Sequence, residues 1–156
     1  MTKKKVYKGP AGRAQSLSNS RAQGFYESIQ VKPATAVIGG VVSGVDMTLP
    51  IPEAQVTDLS YALANHNVLF FRDQPELTPE QQIAFARNFG ELHILPAGPQ
   101  ENAHPEIFVI HTHKDSKLNN GGGWHTDVSC NEKPPLGTML QIHKTPKAGG
   151  DTLFAN

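Results

Sequence analysis

The sequence predicts a mainly β chain with flanking helices, an α+β fold, and three observations carry that reading. Short runs rich in Val, Ile and Phe recur between Gly and Pro turn signals, which is the pattern of strands. Two other segments repeat their apolar residues at helical spacing. The 156 residues are 38% hydrophobic and 18% charged with no formal net charge, an ordinary globular composition that excludes disorder, collagen and a coiled coil.

In chain order, Ile29 to Val45 alternates and is broken by Gly39-Gly40 and Gly44, which predicts two short strands joined by a turn. After Pro50-Ile51-Pro52, the residues Val56, Leu59, Ala62 and Leu63 share one face of a helix that ends at Asn65 to Asn67. Val68-Leu69-Phe70-Phe71 is continuously apolar, as a strand buried on both faces is, and Arg72-Asp73-Gln74-Pro75 closes it. Thr78 as N-cap, Pro79 at the first helical position and Gln81 three residues after Thr78 form a capping box. The helix it starts has an apolar face of Ile83, Phe85, Ala86 and Phe89 and is expected to end at Gly90. Further strands are expected at Ile107 to Ile110, Trp124 to Val128, Leu136 to His143 and Asp151 to Ala155, with a polar loop from Lys114 to Gly123. No internal repeat or linker divides the chain, so residues 27–156 read as one domain or part of one.

Residues 1–26 hold Lys3, Lys4, Lys5, Lys8, Arg13 and Arg21 and no acid, so the rest of the chain is net acidic. A basic arm can bind nucleic acid or an anionic membrane. This one lacks interleaved aromatics and periodicity, and its Gly, Ser, Pro and Gln content predicts a solvated, flexible tail with neither partner. The apolar runs fall far short of the ~20 residues that cross a bilayer. The basic start is not followed by a secretory apolar core, so a cytoplasmic protein is expected. Cys130 is the single cysteine, which excludes an internal disulfide and a thiolate zinc site and leaves metal chemistry to His, Asp and Glu.

Of seven histidines, His66 at a helix end and His143 late in a strand read as bystanders. His125-Thr126-Asp127 is different. Residues two apart on an extended strand project from one face, so an imidazole and a carboxylate can converge on one ion. Such a pair supplies two ligands of the facial triad that holds iron(II) while leaving positions open for a cosubstrate and dioxygen. His111-Thr112-His113 with Asp115 offers a second, cupin-like metal site by the same spacing argument, and a metal-free binding or interaction protein retaining half of a fold is the non-catalytic alternative.

Trp124-His125-Thr126-Asp127-Val128-Ser129, Pro134-Pro135 and Gly149-Gly150-Asp151-Thr152-Leu153-Phe154 form an ordered pattern that resembles the taurine dioxygenase family. Ser43-Gly44-Val45-Asp46, Val68-Leu69-Phe70-Phe71-Arg72 and Phe89-Gly90-Glu91-Leu92-His93 look like that family's earlier landmarks in the same order. The resemblance implies a double-stranded β-helix (jelly-roll, cupin-like) core and an iron(II), α-ketoglutarate dependent dioxygenase that releases succinate and carbon dioxide. It makes His125 and Asp127 iron ligands, assigns the hydroxyl of Thr152 to the distal carboxylate of α-ketoglutarate, and gives the backbone amide of Val128 to the substrate anion.

Two departures bear on the substrate. The family's sulfonate-binding histidine and amine-side tyrosine fall on Leu95 and Gly98, so taurine is not expected, and Leu95 is instead expected to line a pocket for an alkyl group. The partners expected are a small anionic sulfonate, alkyl sulfate or aryloxy acid and dioxygen, and a homo-oligomer stays open. The family's second histidine ligand and its α-ketoglutarate arginine lie beyond Thr152, so the jelly roll is expected to be incomplete at the C-terminus and these 156 residues alone to be inactive.

Overall fold

The alternating Val and Ile of the first described segment form a hairpin: β1 (Gln30–Pro33) pairs antiparallel with β2 (Gly40–Ser43), Val31 opposite Val42. The computed structural model describes residues 26–95, 103–113, 115–116 and 121–156. The expectation of a flexible basic tail, apart from Tyr26, falls outside them. The chain divides into two units, Met1–Pro75 with Lys144–Asn156, and Glu76–His143.

In the first unit the hairpin turn is closed by Thr35, whose hydroxyl accepts from the Ile38 amide (3.0 Å) and donates to the Ile38 carbonyl (2.6 Å). A third strand, β3 (Leu69–Phe71), lies parallel to β2, giving the order β1-β2-β3. A parallel return needs a crossover, and helix α1 (Glu53–His66) supplies it. Its buried residues Asp58, Leu59, Ala62 and His66 form one stripe, as the spacing predicts. Glu53 in the first turn complements the helix dipole. Asn67 ends the helix in the left-handed region (φ 64°), its amide bonded to the Leu63 carbonyl at 2.7 Å. With Ile29, Val42, Val45 and Met47, the α1 stripe makes this unit's core.

Two polar side chains stand in for backbone here. Gln74 accepts from the Met47 amide and donates to the Val45 carbonyl, each at 3.1 Å, and so holds the loop after β2 as a neighbouring strand would. Asp58 accepts from both the amide and the hydroxyl of Ser28 at 2.7 Å, tying α1 to the start of β1. Asp46, in the Ser-Gly-Val-Asp landmark, is a turn residue: the hydroxyl and amide of Thr48 donate to its carboxylate and hold it below the usual carboxyl range.

His66 is completely buried, which a helix-end position alone does not require. Its carbonyl accepts from the Gly39 amide at 2.8 Å, and its ring lies over Gly40. A Cβ on Gly40 would come within 2.8 Å of Val31 Cγ1 and 3.0 Å of His66 Cγ. Gly40→Ala is therefore expected to cost about 1–3 kcal/mol of stability through overpacking. A urea titration reads this as a lower midpoint at unchanged slope, and an unchanged midpoint would show that the two side chains yield freely.

In the second unit, Thr78 and Gln81 close both bonds of the predicted capping box, and helix α2 (Pro79–Arg87) follows. It buries Ile83 and Phe85, while Phe89 stacks near Phe85 with centroids 5.6 Å apart. The helix stops before Gly90, because the Asn88 side chain donates to the carbonyls of Ala84 (3.1 Å) and Phe85 (2.9 Å) and satisfies the last turn itself. Gln141 clamps Leu77, accepting from its amide (2.9 Å) and donating to its carbonyl (3.0 Å).

Several expected strands do not form. Ile107–Ile110, Trp124–Val128, Leu136–His143 and Asp151–Ala155 lie in no sheet, and Asp127 to Cys130 is a turn. A strand exists through its ladder, and among the described residues none of these segments meets a partner edge. Their apolar side chains stay exposed: Val109, Trp124, Leu136 and Leu153 all near 70%. The three residues of β3, an edge strand of its sheet, are half-buried rather than enclosed on both faces. The described residues thus form a small sheet with helices and not a closed jelly roll. Among them, no helix is long and apolar enough to cross a membrane.

Candidate metal centre

His125 and Asp127 converge, but at the entrance to the Asp127 to Cys130 turn instead of on the expected strand. The turn is closed by the Asn131 amide on the Val128 carbonyl (3.1 Å) and by the hydroxyls of Thr126 and Ser129, 2.6 Å apart. Val128 takes φ +51°, which costs a β-branched residue on the order of 1–3 kcal/mol. His125 Nε2 lies 3.4 Å from Asp127 Oδ1 although the segment joins no sheet. Both side chains are about half exposed.

Each of the two groups is tied down by its other polar atom. His125 Nδ1 lies 2.7 Å from the Gly123 carbonyl, which can only accept, so Nδ1 carries the proton. A neutral ring in that tautomer turns the lone pair of Nε2 toward Asp127. Asp127 Oδ2 accepts from the Thr138 hydroxyl at 2.7 Å, leaving Oδ1 on the His125 side. In the neutral ring two acceptor atoms face each other at 3.4 Å, whereas a protonated ring pairs with Asp127 across the same distance. Cis ligands at the ~2.1 Å bond lengths usual for imidazole and carboxylate stand about 3 Å apart, so the donor set fits a divalent cation. A backbone carbonyl on the far ring nitrogen is the usual second partner of a metal-bound histidine. Among the described residues no third His, Cys, Asp or Glu joins the pair.

The alternative pair is built differently. His111 and His113 are exposed with ring centroids 5.6 Å apart, and the Asp115 amide donates to His113 Nδ1 at 3.3 Å. That contact occupies one ring lone pair and places the proton of a neutral ring on the other nitrogen, and these residues form no metal-binding group of three. His143 bonds the exposed Glu76 at 2.8 Å, as a surface histidine does.

Thr152 lies in the other unit, exposed, after Gly149 and Gly150, which both take φ +75°. Leu95 is 38% exposed, and Gly98 lies outside the described residues. Sequence reasoning missed Thr138 and the Gly123 carbonyl. Thr138 is separated from Asp127 by the Pro134-Pro135 segment, so no local spacing marks it. Gly123 carries no side chain to attract notice.

The family described as "Taurine catabolism dioxygenase TauD, TfdA family" matches residues 30–156. An alpha-ketoglutarate-dependent sulfonate dioxygenase of Saccharomyces cerevisiae is 31% identical over 96% of this chain and 39% of its own length. An alkylsulfatase of Acinetobacter baylyi is 32% identical over 83% of this chain and 40% of its own. The crystal structure of a taurine dioxygenase from Burkholderia xenovorans superposes with a TM-score of 0.57 at 39% identity, covering 70% of this chain and 38% of that one. The chain spans about two-fifths of the length of these relatives.

Proposed function

This chain belongs to the TauD, TfdA family, and on that premise we propose that the whole protein is an iron(II), α-ketoglutarate dependent dioxygenase with a jelly-roll core. Its substrate is a small anionic molecule of the sulfonate, alkyl sulfate or aryloxy acid class, other than taurine. The observation that carries this reading is the His125–Asp127 pair, whose Nε2 and Oδ1 stand 3.4 Å apart while their opposite atoms are tied to the Gly123 carbonyl and the Thr138 hydroxyl.

His125 Nε2 and Asp127 Oδ1 hold the iron, with the Gly123 carbonyl keeping the ring in the required tautomer. Bound iron supplies the activation of dioxygen, with α-ketoglutarate as the two-electron reductant. The hydroxyl of Thr152 donates to the distal carboxylate of α-ketoglutarate, and Gly149-Gly150 leave that approach clear of side chains. The Val128 amide donates to the substrate anion, and Leu95 lines the pocket for its alkyl part. Overall, a substrate C–H, dioxygen and α-ketoglutarate become C–OH, succinate and carbon dioxide. Where that carbon bears sulfonate or sulfate, the hydroxylated product breaks down to a carbonyl compound.

The substrate claim is tested by succinate release from the complete protein across sulfonates, alkyl sulfates, aryloxy acids and taurine. Leucine and glycine cannot pair a sulfonate or an ammonium group, and each unpaired polar group costs about 1–3 kcal/mol. Discrimination against taurine of tens to thousands of fold is therefore expected. Taurine as the best substrate would overturn the exclusion, and no succinate from any of them would overturn the class.

A further inference from the structure

We propose that Thr138 is a positioning residue: its hydroxyl holds Asp127 so that a single carboxylate oxygen, Oδ1, is presented beside His125 for a divalent cation. This rests on the metal reading above. The Thr138 hydroxyl donates to Asp127 Oδ2 at 2.7 Å across eleven residues of sequence. Asp127 is about half exposed, so burial does not fix its rotamer. An unrestrained carboxylate turns about its terminal torsion and offers either oxygen, or both, to a cation. With Oδ2 engaged by the hydroxyl, Oδ1 is left 3.4 Å from His125 Nε2.

The same segment is restrained from its other sides. The Gly123 carbonyl orients the ring of His125, and the Thr126–Ser129 hydroxyl pair closes the turn that follows it. Thr138 completes this set from a distant part of the chain, and as a β-branched residue it is stiff at χ1 and brings its hydroxyl to the carboxylate at little entropic cost. Its worth lies in directing one oxygen. A carboxylate bound through both oxygens would take up a coordination position that a cosubstrate needs, whereas one bound through Oδ1 alone leaves it open.

Cobalt(II) titrations of the chain, followed by absorption and by calorimetry, test this with Thr138→Val, Thr138→Ser and His125→Ala. Thr138→Val is nearly isosteric and removes only the hydroxyl. It is expected to weaken cobalt binding about 10–100-fold with an unchanged thermal midpoint in the metal-free protein, and Thr138→Ser to restore affinity to within a few fold. Two results would overturn the positioning role while leaving the metal reading intact: Thr138→Val binding like wild type while His125→Ala does not bind, or Thr138→Ser binding as weakly as Thr138→Val. Equal binding by wild type and His125→Ala would overturn the metal reading and this inference together.

Discussion

Replacing His125 with alanine is expected to abolish succinate formation by the complete protein, a fall of more than about a hundred-fold. Losing only an outer partner of a metal ligand typically costs 10–100-fold in affinity or activity, and losing the ligand costs more. The geometry explains why nothing nearby can substitute. The ring is committed at Nδ1 to the Gly123 carbonyl and offers Nε2 to the side where Asp127 Oδ1 waits, and no further His, Cys, Asp or Glu stands by among the described residues. His111→Ala is the matched control and is expected to keep wild-type turnover, because the pair it disrupts already uses the Nδ1 of His113 to accept from the Asp115 amide. Succinate release at saturating iron and α-ketoglutarate reads both variants. Wild-type turnover by His125→Ala, or its loss in His111→Ala, would move the metal to the other pair.

The parts legible in the sequence are those whose cause is local. The Thr78–Gln81 capping box and the α1 stripe of Leu59 and Ala62 depend on residues within a turn or two of one another, and both formed as read. The β1–β2 hairpin is equally local. The strand expected at Trp124–Val128 failed because strand character depends on a partner edge that the segment's own residues do not reveal. Its spacing of two was nonetheless informative, since His125 and Asp127 come within 3.4 Å of one another without a ladder. Gln74 and Gln141 were illegible for a related reason. Each replaces a missing backbone ladder for a segment 27 or 64 residues away, and a glutamine gives no sign of that in sequence. His66 looked like an ordinary cap at a helix end, and only Gly40 opposite it, with room for no side chain, shows it to be core.

Asp58→Asn is expected to lower stability at pH 7 by about 1.5–3 kcal/mol, the worth of hydrogen bonds to a charged group. Burial by itself would raise the Asp58 carboxyl, but the hydroxyl of Ser28 and the amides of Ser28, Glu27 and Ile29 together bring it below its ordinary value. The sign then follows from linkage. A carboxyl depressed in the folded state contributes stability that is fully present above the unfolded-chain value of about 3.9 and is lost as pH falls through the lower folded value. Asparagine keeps the shape and an acceptor oxygen but has no charge to lose. The stability gap between wild type and variant, measured by urea unfolding from pH 7 down into the acid range, should therefore be constant at neutral pH and close below about pH 4. Asp46 and Glu80 are also held low, yet both are present in wild type and variant alike, so their titration cancels in the difference. A gap that persists unchanged to the most acidic pH would mean that the Ser28 donors respond to the shape of the side chain at position 58 and not to its charge.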